Sequence, residues 1–148
     1  MEAISLNYVF YTFDELPDDA KESALEKLCD SNVDYEWWEY TVDDAKEIGI
    51  KISEFDIDHG TIKGEYYDDA VDVKKAIMKN HGKTCDTYQT VLEYDLRKND
   101  VEDDLLYSLL QDYLSILRKE YEYLTTKEAI IETIEANDYT FDLDGNIV

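Results

Sequence analysis

Basic residues are scarce in this chain of 148 residues: 14 Lys and Arg stand against 37 Asp and Glu, a formal net charge of -23. A surface of that sign repels DNA, RNA and anionic membranes, so ordinary nucleic-acid binding is excluded and basic partners or cations are favoured. Histidine is nearly absent, with only His59 and His81, and no Ser or Cys sits in a nucleophile motif. There is no phosphate-cradling glycine loop. The two cysteines, Cys29 and Cys85, have no third or fourth partner to complete a zinc site. No apolar run approaches a membrane span, and the opening MEAISLNYVF lacks the basic start of a signal peptide. These absences lead to the expectation of a soluble, cytoplasmic protein with reduced thiols, without enzymatic activity, cofactor or metal. One Pro and five Gly leave few breakers, so regular structure should fill most of the chain.

What is present is a core. Hydrophobic residues make up 44%, and there are 13 Tyr, 4 Phe and 2 Trp. Acidic disordered chains are poor in aromatics, so this chain is acidic and folded. Its length suits one domain, residues 1–148. The acid is uneven. Residues 14–47 hold 3 basic against 13 acidic residues, whereas residues 48–83 hold 6 against 7.

Along the chain, AISLNYVFYTF at 3–13 has strand composition. Pro17, Asp18 and Asp19 suit the start of a helix over about 18–29. A second helix is expected from about Asp34 to Ile48, ending at Gly49. Residues 50–58 and 61–67 form a hairpin about Asp58-His59-Gly60, with a slip in alternation between Ile52 and Phe55 that suggests a bulge. A helix is expected over 69–80; residues 84–96 read as either strand or helix, with helix favoured; the clearest helix is over 101–124, where Leu106, Leu110, Tyr113, Leu117, Tyr121 and Leu124 recur at spacings of three and four. Thr125 and Glu128 fit a capping box for a last helix to about Asn137, and Tyr139–Leu143 reads as a short strand. The fold class is therefore α+β, a small antiparallel sheet packed with several helices.

The expected partner-binding surface is two acidic rows. On the first helix Asp18, Asp19, Glu22 and Glu26 oppose the apolar face of Ala20, Ala24, Leu25 and Leu28. On the second, Glu36, Glu39, Asp43 and Glu47 share a face, flanked by Asp44, Tyr40 and Trp37. Like charges at these spacings weaken a helix by a few tenths of a kcal/mol each. The rows could mimic a phosphate backbone or serve only as a solvated face. Tyr66 and Tyr67 would add contact area, and cation–π contacts with Arg. Trp37 is either an exposed anchor or covered by another element, such as the carboxy-terminal strand. An Asp56, Asp58 and His59 cluster has metal-ligand residue types but also ordinary turn composition. The Asp142–Asn146 run resembles the start of a calcium loop without its closing Glu, which favours a turn.

The segments YVFYTFDELPDDAKESALEKL, NVDYEWWEYTVDDAKEIGIKISEFDID and RKEYEYLTTKEAIIETIEANDYTFDLDGN carry a resemblance. Their F-x-E-L, D-Y-E-W-W, E-Y-E-Y-L-T and E-A-N-x-Y-x-F motifs resemble a largely uncharacterised family of small acidic phage and prophage proteins. The middle departs from it: KGEYYDDAVDVKKAIMKNHG stands where many members carry a glycine-rich segment. The resemblance implies a mobile-element origin, residence in the host cytoplasm, and an anti-CRISPR or anti-restriction role. The expected function is inhibition of a CRISPR effector or restriction nuclease by occupying its basic nucleic-acid site. The alternative is an antitoxin-like or regulatory module that binds one protein through an aromatic patch. Whether the chain is monomeric is left open.

Overall fold

The computed structural model describes residues 9–98 and 101–148. The protein is α+β, with helices α1 (Asp18–Lys27), α2 (Glu39–Glu47), α3 (Ala70–Asn80), α4 (Asp86–Leu92), α5 (Glu102–Leu124) and α6 (Lys127–Ala136). Strands β1 (Ile50–Asp56) and β2 (Thr61–Tyr66) form an antiparallel hairpin. The chain divides into two compact units, Met1–Glu36 with Tyr121–Val148, and Trp37–Glu120.

In the first unit Phe13, Leu16, Ala20, Ala24, Ile130, Ile134 and Phe141 make one apolar cluster. The rings of Phe13 and Phe141 meet edge to face with centroids 6.3 Å apart. The strand expected over 3–13 lies partly outside the described residues. Within them it reduces to one bridge, Tyr11 with Phe141, followed by a 3-10 turn over Phe13–Glu15. Glu15 causes the change: its carboxylate accepts from the Thr12 amide at 2.8 Å and the Thr12 hydroxyl at 3.0 Å, which closes the turn and swings Phe13 into the core. The strand expected over Tyr139–Leu143 likewise reduces to bridges at Phe141. Asp142 accepts from the amides of Asp144 at 2.9 Å and Asn146 at 3.0 Å, folding the chain back as an Asx turn. Gly145, at φ +81°, seats that turn on α1: a Cβ there would lie 2.7 Å from Ala24 N and 2.8 Å from Ala20 O.

The capping residue of α6 is Thr126, one position later than expected, with Oγ1 accepting from the Ala129 amide at 3.2 Å. Thr125 instead donates back to the Tyr121 and Glu122 carbonyls at the end of α5. Two adjacent threonines are alike in sequence; the reach of α5 decides which one caps.

In the second unit Ala45, Ile48, Ile50, Ile52, Val73, Ile77, Val91, Leu105, Leu109, Leu110 and Tyr113 form the core. Of the expected α5 stripe, Leu110, Tyr113 and Leu117 are buried, whereas Leu106, Tyr121 and Leu124 are half-buried; Leu105, Leu109 and Leu114 complete the buried face. The hairpin register runs from Ile50 opposite Tyr66 to Asp56 opposite Thr61, and shifts between Ile52 and Glu54, where the slip in alternation lay. Gly64 is opposite Ile52, and a Cβ on it would sit 2.6 Å from Lys51 O and 2.9 Å from Leu110 Cδ2. A side chain is excluded there by the Lys51 carbonyl of β1 and by Leu110 of α5, which packs on the strand.

The second helix begins at Glu39, not at Asp34. The start is delayed from both sides. Asn32 is buried, donating from Nδ2 to the Leu124 carbonyl at 2.9 Å and accepting from Thr133 Oγ1 at 2.6 Å, so the chain is pinned in turns up to residue 33. Trp37 lies in a turn before the helix and Trp38 is its N-cap, and the rings of both pack against Phe55 of β1.

Candidate functional acidic surfaces

Helix α1 presents Asp18, Asp19, Glu22 and Glu26 to solvent, all exposed, while Ala20 and Ala24 face the core. None of the four has an ion-pair partner within 4 Å among the described residues. Lys27 could have neutralised the row, but it reaches the carboxy-terminal turn instead, bonding Asp144 O at 3.0 Å and Asn146 Oδ1 at 2.6 Å. Lys21 lies over the Phe13 ring, 5.9 Å from its centroid. Four carboxylates in nine residues at 1.5 Å rise amount to roughly one charge per 3–4 Å of axis. One strand of duplex DNA carries about one per 3.4 Å.

Helix α2 presents Glu39, Asp43 and Glu47 at i, i+4 and i+8, all exposed and without an ion-pair partner among the described residues. Tyr40 stands beside them, 92% exposed. Two expected members are placed differently. Glu36 is exposed but lies before the helix, so it is not on this row. Asp44 is turned inward: its Oδ2 accepts from the Tyr113 hydroxyl at 3.0 Å and lies 3.1 Å from His81 Nε2. The row on α2 is thus three charges.

Trp37 and Trp38 are both half-buried. Each meets Phe55 edge to face at 5.9 Å, and they meet each other at 5.8 Å. Phe55 of β1 thus packs against both Trp37 and Trp38. Tyr66 is also half-buried, and its hydroxyl donates to the Glu102 carbonyl. Burial, then the charges of Glu102 and Asp103, push that hydroxyl up to about 12. Tyr67 is exposed, with Lys46 Nζ 5.9 Å from its ring centroid. Of the expected aromatic contacts, Tyr40 and Tyr67 are the two that face outward.

A polar node in the second unit escaped the sequence reading. His81, whose side chain is 10% exposed, pairs Nδ1 with Thr87 Oγ1 at 2.6 Å and points Nε2 at Asp44 out of line for a hydrogen bond. Tyr113 is fully buried, and burial together with the Asp44 charge pushes its hydroxyl well above the ordinary range. Both ring nitrogens of His81 face structural partners, so neither is directed at Cys85 as a Cys–His pair would require. The one signal in the sequence was Tyr113 itself, a phenol in a row of leucines, which needs a partner when buried.

Asp56 accepts from the His59 amide at 3.1 Å and approaches His59 Nδ1 at 2.7 Å with its other oxygen, which lowers its pKa below the usual carboxylate range. The Asp56–His59 pair thus closes the hairpin turn. Among the described residues, no three His, Cys, Asp or Glu side chains are grouped as a metal ion would need, and no helix is long and apolar enough to cross a membrane. Comparison with protein-family models, curated proteins and solved structures returned no match.

Proposed function

We propose that the protein is a non-enzymatic inhibitor that occupies a basic nucleic-acid-binding surface of a host defence nuclease, a CRISPR effector or a restriction enzyme. The observation that carries this reading is the pair of helical rows of exposed carboxylates, none with an ion-pair partner among the described residues. The linear charge density of the α1 row approaches that of a single phosphate strand. A row that served only the fold would be interleaved with lysines at i+4, which stabilise a helix. Here Lys21 and Lys27 are directed elsewhere. A basic channel built for phosphates would meet fixed carboxylates at similar spacing, and bound counterions would be released on both sides. The phage-family resemblance supplies the class of target.

The test is displacement of labelled duplex DNA from a panel of purified CRISPR effectors and restriction nucleases, at low and at high salt. At least one member should lose its DNA at low salt, and the Glu22→Lys/Glu26→Lys and Asp43→Lys/Glu47→Lys proteins should displace at least tenfold less. Absence of displacement across the panel would overturn the reading. Displacement that charge reversal leaves intact but Tyr40→Ala removes would move the function to a dedicated aromatic binding module.

A further inference from the structure

A groove of about 630 Å³ in the second unit runs along α3 beside the segment that follows α4. Its apolar part is unusual for so acidic a chain. Helix α3 buries Ala70, Val73 and Ile77 in the core, yet the flank beside that buried stripe carries Val71 and Met78, 44% and 41% exposed. Leu92 faces the same groove, 51% exposed. Val71 and Met78 are seven residues apart, about 10 Å or two helical turns, so the floor is a trough of helix length open to solvent.

The rim has the sign opposite to the rest of the molecule. Lys74, Lys75 and Arg97 line it, against Glu93 and Asp95. Asp95 is taken up by Arg97, with bonds of 2.9 and 3.0 Å. Lys74 is fixed along the groove by donating to Tyr94 O at 2.8 Å. Lys75 has no ion-pair partner among the described residues. Across residues 70–98 there are six Lys and Arg against four Asp and Glu, in a chain of net charge -23. With a Debye length of about 8 Å at physiological ionic strength, an incoming segment senses this local excess more than the distant acid.

We infer that this groove docks an acidic amphipathic helix of a partner protein. Apolar side chains at i, i+3 or i+4, and i+7 would seat along Val71 and Met78 and against Leu92. Asp or Glu on the flank of the same helix would face Lys75. The apolar floor favours a peptide over a nucleic acid, whose phosphates would gain nothing from Val71 and Met78. The inference does not depend on the acidic rows of α1 and α2, which use other residues.

The experiment is fluorescence anisotropy with a labelled synthetic helix bearing Leu at i, i+3 and i+7 and Glu between them. A scrambled version, a Lys-for-Glu version, a single-stranded oligonucleotide and anionic vesicles serve as comparison probes. The acidic amphipathic helix should bind saturably, and the scrambled and Lys versions at least tenfold more weakly. Met78→Glu and Lys75→Glu should each weaken binding about tenfold, whereas Glu22→Lys/Glu26→Lys should leave it unchanged. Both groove positions are exposed, and circular dichroism will verify that the variants fold. Chemical-shift changes in the unmodified protein should cluster at 71–78 and 92–97. Absence of saturation, equal binding of the scrambled helix, insensitivity to Met78→Glu, or stronger binding of the oligonucleotide or vesicles at these residues would each overturn the inference. Since the α1 variant separates the two surfaces, failure here leaves the inhibitor reading standing, and the converse also holds.

Discussion

The Tyr113 hydroxyl donates to Asp44 Oδ2 at 3.0 Å, tying α2 to the buried face of α5. One carboxylate of α2 is thereby withdrawn from the acidic surface and made part of the fold. Tyr113→Phe keeps the ring and removes the donor. A hydrogen bond to a charged group contributes about 1.5–3 kcal/mol when fully buried, but the Asp44 side chain is 47% exposed and water compensates part of the loss. A destabilisation of about 1 kcal/mol is expected in urea unfolding, with the denaturant slope unchanged. A loss near zero would mean that His81 alone holds Asp44 in place.

Asn32 should be less forgiving. It is buried, and both ends of its amide are used, on the Leu124 carbonyl and the Thr133 hydroxyl. Asn32→Ala leaves two half-buried partners unsatisfied and should cost about 1–3 kcal/mol. Asn32→Asp keeps an acceptor for Thr133 but cannot donate to Leu124, and it adds a charge in a buried site. It should be at least as destabilising as the alanine. Equal stability of Asn32→Asp and the unmodified protein would refute this role.

Gly145→Ala addresses the carboxy-terminal turn. The substitution meets a left-handed backbone and two backbone atoms of α1 closer than 3 Å, and neither can yield as a flexible side chain would. A loss of about 1–3 kcal/mol is expected. Hydrogen exchange should accelerate in α1 and at Phe141, the elements that the turn joins.

Tyr66 gives a pH signature. Its folded pKa, about 12, lies above the ordinary value of 10.0. The folded state therefore favours the protonated phenol. The stability it contributes is complete below pH 10 and is lost as pH rises from 10 towards 12. Ultraviolet titration of tyrosinate should show late-ionising phenols, and Tyr66→Phe should remove one of them and flatten the stability loss above pH 10. A titration in which every tyrosine ionises together near pH 10 would contradict this.

How much of this was legible in the sequence follows from the range of the forces involved. The hairpin, its irregularity after Ile52, and helices α3, α5 and α6 follow from local periodicity and turn chemistry, and these signals sit within a few residues of their effect. The delayed start of α2 does not. It depends on Asn32 finding Leu124 and Thr133 about a hundred residues away, and on Phe55 capturing Trp37 and Trp38. The same long-range pairing removed Asp44 and Tyr66 from the expected surface. Residues 18–26 kept their assignment because α1 is an independent amphipathic helix with small residues inward. Glu36 lost its place because the helix it was assigned to starts three residues later.

The acidic rows yield a prediction that separates function from mere solubility. In α1, Asp18, Glu22 and Glu26 are successive i, i+4 neighbours of like charge. Each such pair destabilises the helix by about 0.2–0.5 kcal/mol, and an Asp or Glu four residues before Lys stabilises it by a similar amount. Glu22→Lys converts the repulsive pairs with Asp18, Asp19 and Glu26 into attractive ones, so it should raise stability by about 1 kcal/mol. The gain should shrink as salt screens both sets of charges. Melting temperatures of the two proteins at low and high salt will measure it. If the row exists to engage a basic site, the more stable Glu22→Lys protein should also be the poorer competitor against DNA, since the like charges kept in α1 at a cost to the helix are those the partner reads. A Glu22→Lys protein that gains stability and competes equally well would identify the α1 row as a solvated face and leave the α2 row to carry the interaction alone.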